Sequence, residues 1–284
     1  MKSRKKIVFF TVLAVALAAL LVGIILTGGE RSESVEETMR NAVLHESDKI
    51  SLFGLIDVNP SVISGFIVTA VLLICAAIIR IFVLPRFKLV PGKFQSVIEQ
   101  AVEFFDNLGK SRSPRHNGFI GAYAFAAGVY IFFGTLFELF GVQVTGVTGN
   151  PVTLPAPLSD INGAISLGCL SYLVILFGGL ILNGVKGFLT ALKDFSLPIS
   201  MSFRMFGALL SGALVTELIY YYMALSFVLP VLVGVLFTLL HALIQAYVLT
   251  MLTAMFFGES TERNEKIKER AYADETGAAS PETA

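Results

Sequence analysis

The residues most able to do chemistry in this chain are ionisable side chains inside long apolar runs. Arg204, Glu217 and His241 fall in the last two of these runs, and Arg80 and Glu138 fall in earlier ones. A charged side chain at the centre of a membrane helix costs about 2.5 to 3.5 kcal/mol on insertion scales. A guanidinium, a carboxyl group and an imidazole retained at that cost indicate either an ion path or a buried structural ion pair.

Arg80 and Glu138 are the weaker candidates of the five. Arg80 lies close to the end of its apolar run, so its long side chain can reach the membrane surface. Glu138 also lies near the end of a run, where a structural role is the simpler interpretation. The search for function therefore centres on Arg204, Glu217 and His241.

The composition makes a bilayer the natural solvent. Hydrophobic residues form 55% of the 284 residues and charged residues only 15%, and the mean hydropathy is +0.77. The formal net charge is zero and no basic face for nucleic acid is present. Cys75 and Cys169 lie inside apolar runs, which indicates neither a disulfide nor a metal site. Phosphate-loop, HExxH and GxSxG motifs do not occur, so no cofactor and no self-contained active site are expected.

Six segments are long enough to cross a membrane, since about 20 apolar residues span the hydrocarbon core. They are approximately 7–27, 62–84, 118–140, 163–182, 199–225 and 228–257. The first follows a basic cluster and reads as a signal peptide or an uncleaved anchor, and its length favours the anchor. Only Leu229-Pro230 breaks the last two, which predicts a tight helical hairpin. The predicted fold is an all-α integral membrane protein with about six membrane helices.

Loop charges predict the orientation, because Lys and Arg in short loops resist translocation. Basic residues concentrate in segments 1–6, 85–117, 183–198 and the tail beyond Gly258, which are predicted to be cytoplasmic. The loop 141–162 has no Lys or Arg, and segment 30–60 is mainly acidic, so both are predicted to lie outside. This divides the chain into an N-terminal anchor and outward segment (1–60), a membrane domain (61–258) and a disordered cytoplasmic tail (259–284).

Four sequence elements stand in an order typical of one protein family. The first is the segment LKDFSLPISMSFRMFGALLSG, residues 192–212, with Arg204, Phe206 and Gly207 at its centre, and it resembles the signature of subunit a of F-type ATP synthases. The segment 243–257 resembles the last helix of the family through Gln245, Ala246 and Tyr247. VPGKFQSVIE at 90–99 and SDINGAISL at 159–167, with Asp160 and Asn162, complete a set that follows the family order.

The resemblance implies an ion-translocating stator subunit of a cell inner (plasma) membrane complex, not an enzyme by itself. Its implied partners are a rotating proteolipid ring, a peripheral-stalk membrane subunit and the soluble ATP synthase head. The last two helices would face the ring, whose carboxylates carry H+ or Na+ between two offset half-channels. Arg204 would be the gate, because a guanidinium attracts a carboxylate but cannot relay a proton. The choice between H+ and Na+ stays open, since it rests largely on ligands in the ring.

The chain departs from the family pattern at several polar positions. Ala208 stands where the family usually has asparagine, Ala213 where it usually has an acid, and Lys193 replaces another acid beside Asp194. Glu217 lies one helical turn beyond Ala213, and His241 precedes Gln245 by four residues. We therefore predict that Glu217 and His241 together line the outer half-channel. The remaining half-channel candidates are Gln245, Asp194 and Asn162.

A secondary transporter is the alternative function, because transporters also place charges at the membrane midplane and interrupt their helices with Gly and Pro. The two halves of the chain show no internal duplication of the kind that many transporters have. A purely structural membrane anchor would leave the charges of the last two helices unexplained.

Overall fold

The computed structural model describes residues 50–52, 56–114, 116–145, 151–221 and 229–276, with isolated helical positions at 11, 12, 15, 18 and 22. Four short strands are present: β1 (Ile50–Leu52), β2 (Ile56–Val58), β3 (Gln143–Thr145) and β4 (Pro151–Thr153). The helices are α1 (Pro60–Ile78), α2 (Lys93–Arg112), α3 (Asn117–Leu136), α4 (Ile161–Lys193), α5 (Leu197–Tyr221) and α6 (Leu229–Thr276). A π-helical turn and a 3-10 turn extend α1 to Arg86.

Five helical segments in the described part of the chain are long and apolar enough to cross a membrane. They are Pro60–Arg86, Asn117–Phe140, Ile161–Lys193, Leu197–Thr216 and Gly234–Thr261. Each overlaps one of the predicted spans, which confirms an all-α membrane fold. The first predicted span, 7–27, lies outside the continuously described residues.

Side-chain caps define where two of the spanning helices begin. Asn59 caps α1, because its Oδ1 accepts hydrogen bonds from the backbone N and the hydroxyl of Ser61, both at 3.1 Å. Asp160 caps α4 in the same way, with its Oδ1 2.9 Å from the backbone N of Asn162. The 3-10 turn Phe137–Phe140 after α3 ends at Gly141, whose φ of 57° suits glycine.

Two antiparallel β-hairpins occupy loops for which the sequence analysis proposes no secondary structure. β1 pairs with β2, and β3 pairs with β4 through Val144 opposite Val152. The alternation of Val and Thr in β3 and β4 is a β-strand signal, but three-residue strands are too short to recognise by periodicity.

Helix α4 reverses direction at Gly184, which has φ 62° and ψ −151°. Beyond it, residues 185–193 form a return segment that folds back along the first part of the helix. Tyr172 Oη donates a hydrogen bond to the carbonyl oxygen of Ala191 over 3.2 Å, although a straight helix would separate these residues by about 28 Å. The sequence analysis treats 183–198 as a loop between spans, whereas the structure makes most of it helical.

Helix α6 continues to Thr276, 18 residues beyond Gly258. The sequence analysis predicts a disordered tail over 259–284, and the structure differs from this expectation as far as Thr276. The segment from Glu259 onward is rich in Glu, Lys, Arg and Ala, which have high intrinsic helix propensity. A charged and polar composition of this kind permits an exposed helix as well as disorder.

Helix α2 packs against α3 and α6 and is not one of the candidate membrane spans. Phe105 anchors it by packing against Phe125 at a ring-centroid distance of 5.8 Å. A Cβ at Gly128 would lie only 2.6 Å from the Phe105 ring, so glycine provides the space for it. Near its end, Lys110 lies 2.6 Å from Asp106, whose hydrogen bond and charge raise the pKa of the lysine.

The core lies between α3, α4, α5 and α6, and α1 is peripheral. Buried core residues from these helices include Ile131, Ala164, Met201, Met205 and Leu249. In α1 the buried residues are confined to its first half, at Pro60, Ser61, Ser64 and Val68. The close helix contacts within this four-helix core therefore hold α5 and α6 in position.

Candidate functional site

Arg204 lies on the exposed face of α5, directly beside α6. Gln245 on α6 is 8% exposed, and its Nε2 donates a hydrogen bond to the carbonyl oxygen of Arg204 over 3.4 Å. The Arg204 side chain itself is exposed. The two motif residues that the sequence analysis ranks as the gate and a channel candidate are therefore neighbours, with the cation turned outward from the core.

A second contact defines the antiparallel register of α5 and α6. A Cβ at Gly212 would lie 3.1 Å from the ring of Phe237, so these positions face each other at close range. The Arg204–Gln245 and Gly212–Phe237 pairs have the same sum of residue numbers, as an antiparallel pair requires. By the same register His241 lies opposite Ala208, about 6 Å along the helices from Arg204.

The imidazole of His241 is oriented by its own helix. Its Nδ1 lies 2.9 Å from the carbonyl oxygen of Phe237, and its ring stacks on the Phe237 ring at 4.1 Å between centroids. Because a carbonyl oxygen can only accept, Nδ1 carries the proton in this contact. Nε2 is then the nitrogen that can take up or release a proton.

Glu217 lies further along α5 than Ala208, the residue opposite His241. The register places Glu217 nine residues beyond Ala208, which corresponds to about 13 Å of helix rise from the level of His241. The backbone of Glu217 is helical, and its side chain is outside the described part of the structure. The pairing of Glu217 with His241 stays a prediction that this register does not favour.

Glu138 lies closer to the level of His241. Phe119 on α3 meets Phe257 on α6 at 5.9 Å between ring centroids, and Gly128 faces Thr250. Continuing this antiparallel register brings Glu138 to the level of about residue 240, and the turn that contains Glu138 contacts α6. Glu138 is half-buried. The sequence marked Glu138 only as an acid near the end of a span, and the sequence analysis interpreted it as structural.

Asp194 lies on the other side of Arg204 along α5. It ends the return segment of α4, and its backbone N donates to Ala191 O over 3.1 Å. That carbonyl is the one to which Tyr172 donates, so Asp194 and Tyr172 are neighbours beside the middle of the first part of α4. Asp194 is half-buried, and Arg204 follows Leu197, the first residue of α5, by about 10 Å of helix rise.

Asn162 belongs to the helix cap at Asp160. Its Nδ2 donates to Asp160 Oδ1 over 3.2 Å, and its side chain is exposed. Gly168 of α4 packs against Pro198 and Ser202 of α5. This antiparallel register brings Asn162 to within about one helical turn of the level of Arg204, although the hydrogen bond of its exposed side chain goes to Asp160. Its visible contacts stabilise the start of a helix.

The exposed surface around Arg204 is apolar and is formed by both helices of the pair. Large exposed side chains of α5 and α6 near this level are Ile199, Phe203, Leu240, Leu243 and Ile244, whereas the ring of Tyr247 lies 6.2 Å from that of Phe104 on α2. A cation surrounded by exposed apolar side chains is expected of a surface that meets another membrane protein rather than water.

Among the described residues, no group of three His, Cys, Asp or Glu side chains is placed to hold a metal ion. The arrangement places a permanently charged cation, Arg204, between titratable groups. Along the direction of α5, Asp194 lies on one side of Arg204, and His241 and Glu138 lie on the other. A proton can be exchanged at either side, whereas the guanidinium between them keeps its own.

A comparison with protein families identifies the chain. The profile of the family described as ATP synthase A chain matches residues 63–258. This match covers more than half of the chain and includes every described residue of the site discussed above. The chain therefore belongs to the ATP synthase A chain family and is a multi-pass membrane subunit of the F-type ATP synthase complex.

Proposed function

We propose that this chain forms two offset half-channels that pass H+ or Na+ to and from the carboxylates of a rotating proteolipid ring. The observation that carries the proposal is the exposed Arg204, held beside Gln245, with Asp194 on one side of it and His241 and Glu138 on the other. Neither side alone crosses the membrane. Ion flow then has to pass through the ring, which couples it to rotation and to ATP synthesis.

Arg204 separates the two paths. A guanidinium stays protonated, so it attracts an ionised ring carboxylate but cannot pass a proton on. A ring carboxylate that releases its ion to one half-channel is stabilised by Arg204 until it reaches the other. The membrane potential supplies about 2.3 kcal/mol per elementary charge per 100 mV, which drives the rotation.

The outer half-channel contains His241 and Glu138 in this proposal. Both groups change charge by gaining or losing a proton, and the helix registers bring them to one level, about one helical turn beyond Arg204. Ala208 lies at that level too, and its small side chain leaves space there for water. Glu217, further along α5, would then lie nearer the entrance of the same path.

The inner half-channel contains Asp194 in this proposal. The reversal of α4 at Gly184 brings Asp194 back along the helix to the level of Tyr172 instead of leaving it at the end of α4. Carboxylate and phenol groups beside a spanning helix offer a polar route to Arg204 from this side.

The surface of α5 and α6 around Arg204 is the proposed contact with the ring. A peripheral-stalk membrane subunit and the soluble head are the other proposed partners, as the family implies. The loop charges support a cytoplasmic position for α2, for the turn at Gly184 and for the C-terminus, with both β-hairpins outside.

Purification of the complex through a tag on this chain tests the proposal. A ring of small proteolipids and a nucleotide-binding head should be recovered with it, and the complex in vesicles should pump ions when ATP is added. Measuring acidification with and without Na+ then identifies the ion. A chain that catalyses ion-coupled solute uptake in vesicles without a ring would instead be a secondary transporter.

A further inference from the structure

A groove of about 710 Å³ runs along the membrane-spanning surface between α3 and α4, away from Arg204. Its volume lies within the range of about 300 to 1,000 Å³ that is usual for ligand pockets. Its walls come from the start of α3 and from one face of α4 (His116, Phe119, Leu170, Leu173, Phe177 and Ile181). None of its lining residues belongs to α5.

The interior of this groove is apolar and built on close helix packing. Phe257 of α6 forms its floor and is 1% exposed, and Gly178 provides the space that the Phe257 ring fills. The wall residues Phe177 and Ile181 are 56% and 76% exposed. A membrane-spanning groove with this lining suits a hydrocarbon chain, which needs no hydrogen-bond partner.

Residues at one end of the groove belong to basic segments or are followed closely in sequence by basic side chains. His116 lines that end, and the segment 110–116 contains Lys110, Arg112, Arg115 and His116 without an acid. Leu182 lines the same end, and Lys186 follows it on the return segment, where the first acid is Asp194. Arg112 and Lys186 are exposed. Basic groups between membrane helices at a membrane face are expected to bind anionic lipid head groups.

We propose that this groove is a binding site for an anionic phospholipid, with one acyl chain between α3 and α4 and the phosphate head group beside Arg112, His116 and Lys186. The charge at one end and the apolar lining over the rest match the two parts of such a lipid. A zwitterionic lipid would fill the same apolar groove but would gain less from the basic end. This site does not depend on the ion path proposed above.

The absence of tryptophan from the sequence allows a direct test. Phe177→Trp introduces a single fluorophore at the wall of the groove, and Leu180→Trp introduces one on the same helix at an exposed position outside the groove lining. The full-length chain is placed in phosphatidylcholine vesicles that contain an equal minor fraction of either dibrominated phosphatidylglycerol or dibrominated phosphatidylcholine. Bromine quenches tryptophan fluorescence on contact.

Phosphatidylglycerol should quench Phe177→Trp at a lower mole fraction than phosphatidylcholine does, while Leu180→Trp should respond equally to both lipids. Each basic side chain near the head group is expected to favour the anionic lipid about fivefold. Adding Arg112→Gln and Lys186→Gln, at exposed positions that leave the core intact, should remove the preference. Equal quenching of Phe177→Trp by both lipids, or a preference that survives the loss of both charges, would overturn the proposal. If neither lipid quenches Phe177→Trp while both quench Leu180→Trp, protein fills the groove, and this result would also overturn the proposal.

Discussion

Gln245 on α6 donates a hydrogen bond from its Nε2 to the backbone carbonyl oxygen of Arg204 on α5. The contact is 3.4 Å long, and Gln245 is buried beside an arginine that is itself exposed. A buried amide joined to the backbone rather than to the guanidinium leaves the Arg204 side chain available to a partner. The hydrogen bond also links α5 and α6 at the level of Arg204.

Replacement of Gln245 by Leu removes this link without changing the side-chain volume greatly. The loss of one hydrogen bond should reduce the stability of the α5–α6 pair by about 0.5 to 1.5 kcal/mol. ATP-driven pumping by the reconstituted complex should fall while assembly continues, because Arg204 is positioned less rigidly. Gln245→Asn, which keeps the amide but shortens its reach, should have a similar effect. Wild-type pumping in Gln245→Leu would show that the contact does not position Arg204.

Replacement of Arg204 by Ala should abolish coupled ATP synthesis while hydrolysis by the soluble head continues. Arg204→Lys should also fail, because an ammonium group loses its proton more readily in a dry site and lacks the planar guanidinium fork. Arg80→Gln is the matched control, since Arg80 is an exposed cation near the end of the first described span. Membranes with Arg204→Ala that synthesise ATP at the wild-type rate would refute the role of Arg204 as the gate.

Hydropathy was sufficient to predict the five spans that lie in the described residues, because membrane insertion depends mainly on side-chain composition over about 20 residues. It could not predict the reversal at Gly184, which depends on one residue and on contacts between residues far apart in sequence. Arg204 and Gln245 were found from motif spacing. The level of Glu138 in the bundle could not be predicted from the sequence, since it follows from the packing of Phe119 and Gly128 against α6 rather than from any local pattern.

Glu138→Gln and His241→Ala should each reduce ATP-driven pumping while the complex still assembles. Both changes remove a group that can exchange a proton at the level just beyond Arg204. Pumping rates measured with a pH-sensitive dye, together with the subunit composition of the purified complex, distinguish a channel role from a structural one. Loss of assembly in either variant would indicate that the residue stabilises the bundle instead.

The effect of Glu217→Gln can be compared directly with that of Glu138→Gln, since both acids belong to the proposed outer half-channel. If Glu138 lies beside His241 and Glu217 lies nearer the entrance, Glu217→Gln should reduce pumping less than Glu138→Gln does. In a double-mutant cycle, Glu138→Gln with His241→Ala should be non-additive, whereas Glu217→Gln with His241→Ala should be close to additive. The reverse pattern would restore the pairing of Glu217 with His241 that the sequence predicts.

Gly184→Ala tests whether the reversal of α4 matters for the position of Asp194. At φ 62° and ψ −151° the backbone is in a region that is essentially restricted to glycine. No atom lies within 4 Å of a Cβ placed there, so the substitution creates no clash and changes only the backbone preference. The strain should lower stability by about 1 to 3 kcal/mol. A lower midpoint of thermal unfolding of the purified complex would measure it.

Gly234→Ala is the control for this substitution. Gly234 also has open space at its Cβ position, but it lies in α6 and its φ is not positive. Alanine there should leave stability unchanged or raise it by up to about 1 kcal/mol, since alanine favours a helix over glycine. Because the return segment carries Asp194 to the level of Tyr172, Gly184→Ala should also reduce pumping, and Gly234→Ala should not. Equal midpoints and equal pumping for Gly184→Ala and the wild type would mean that the chain reaches Asp194 by another backbone path.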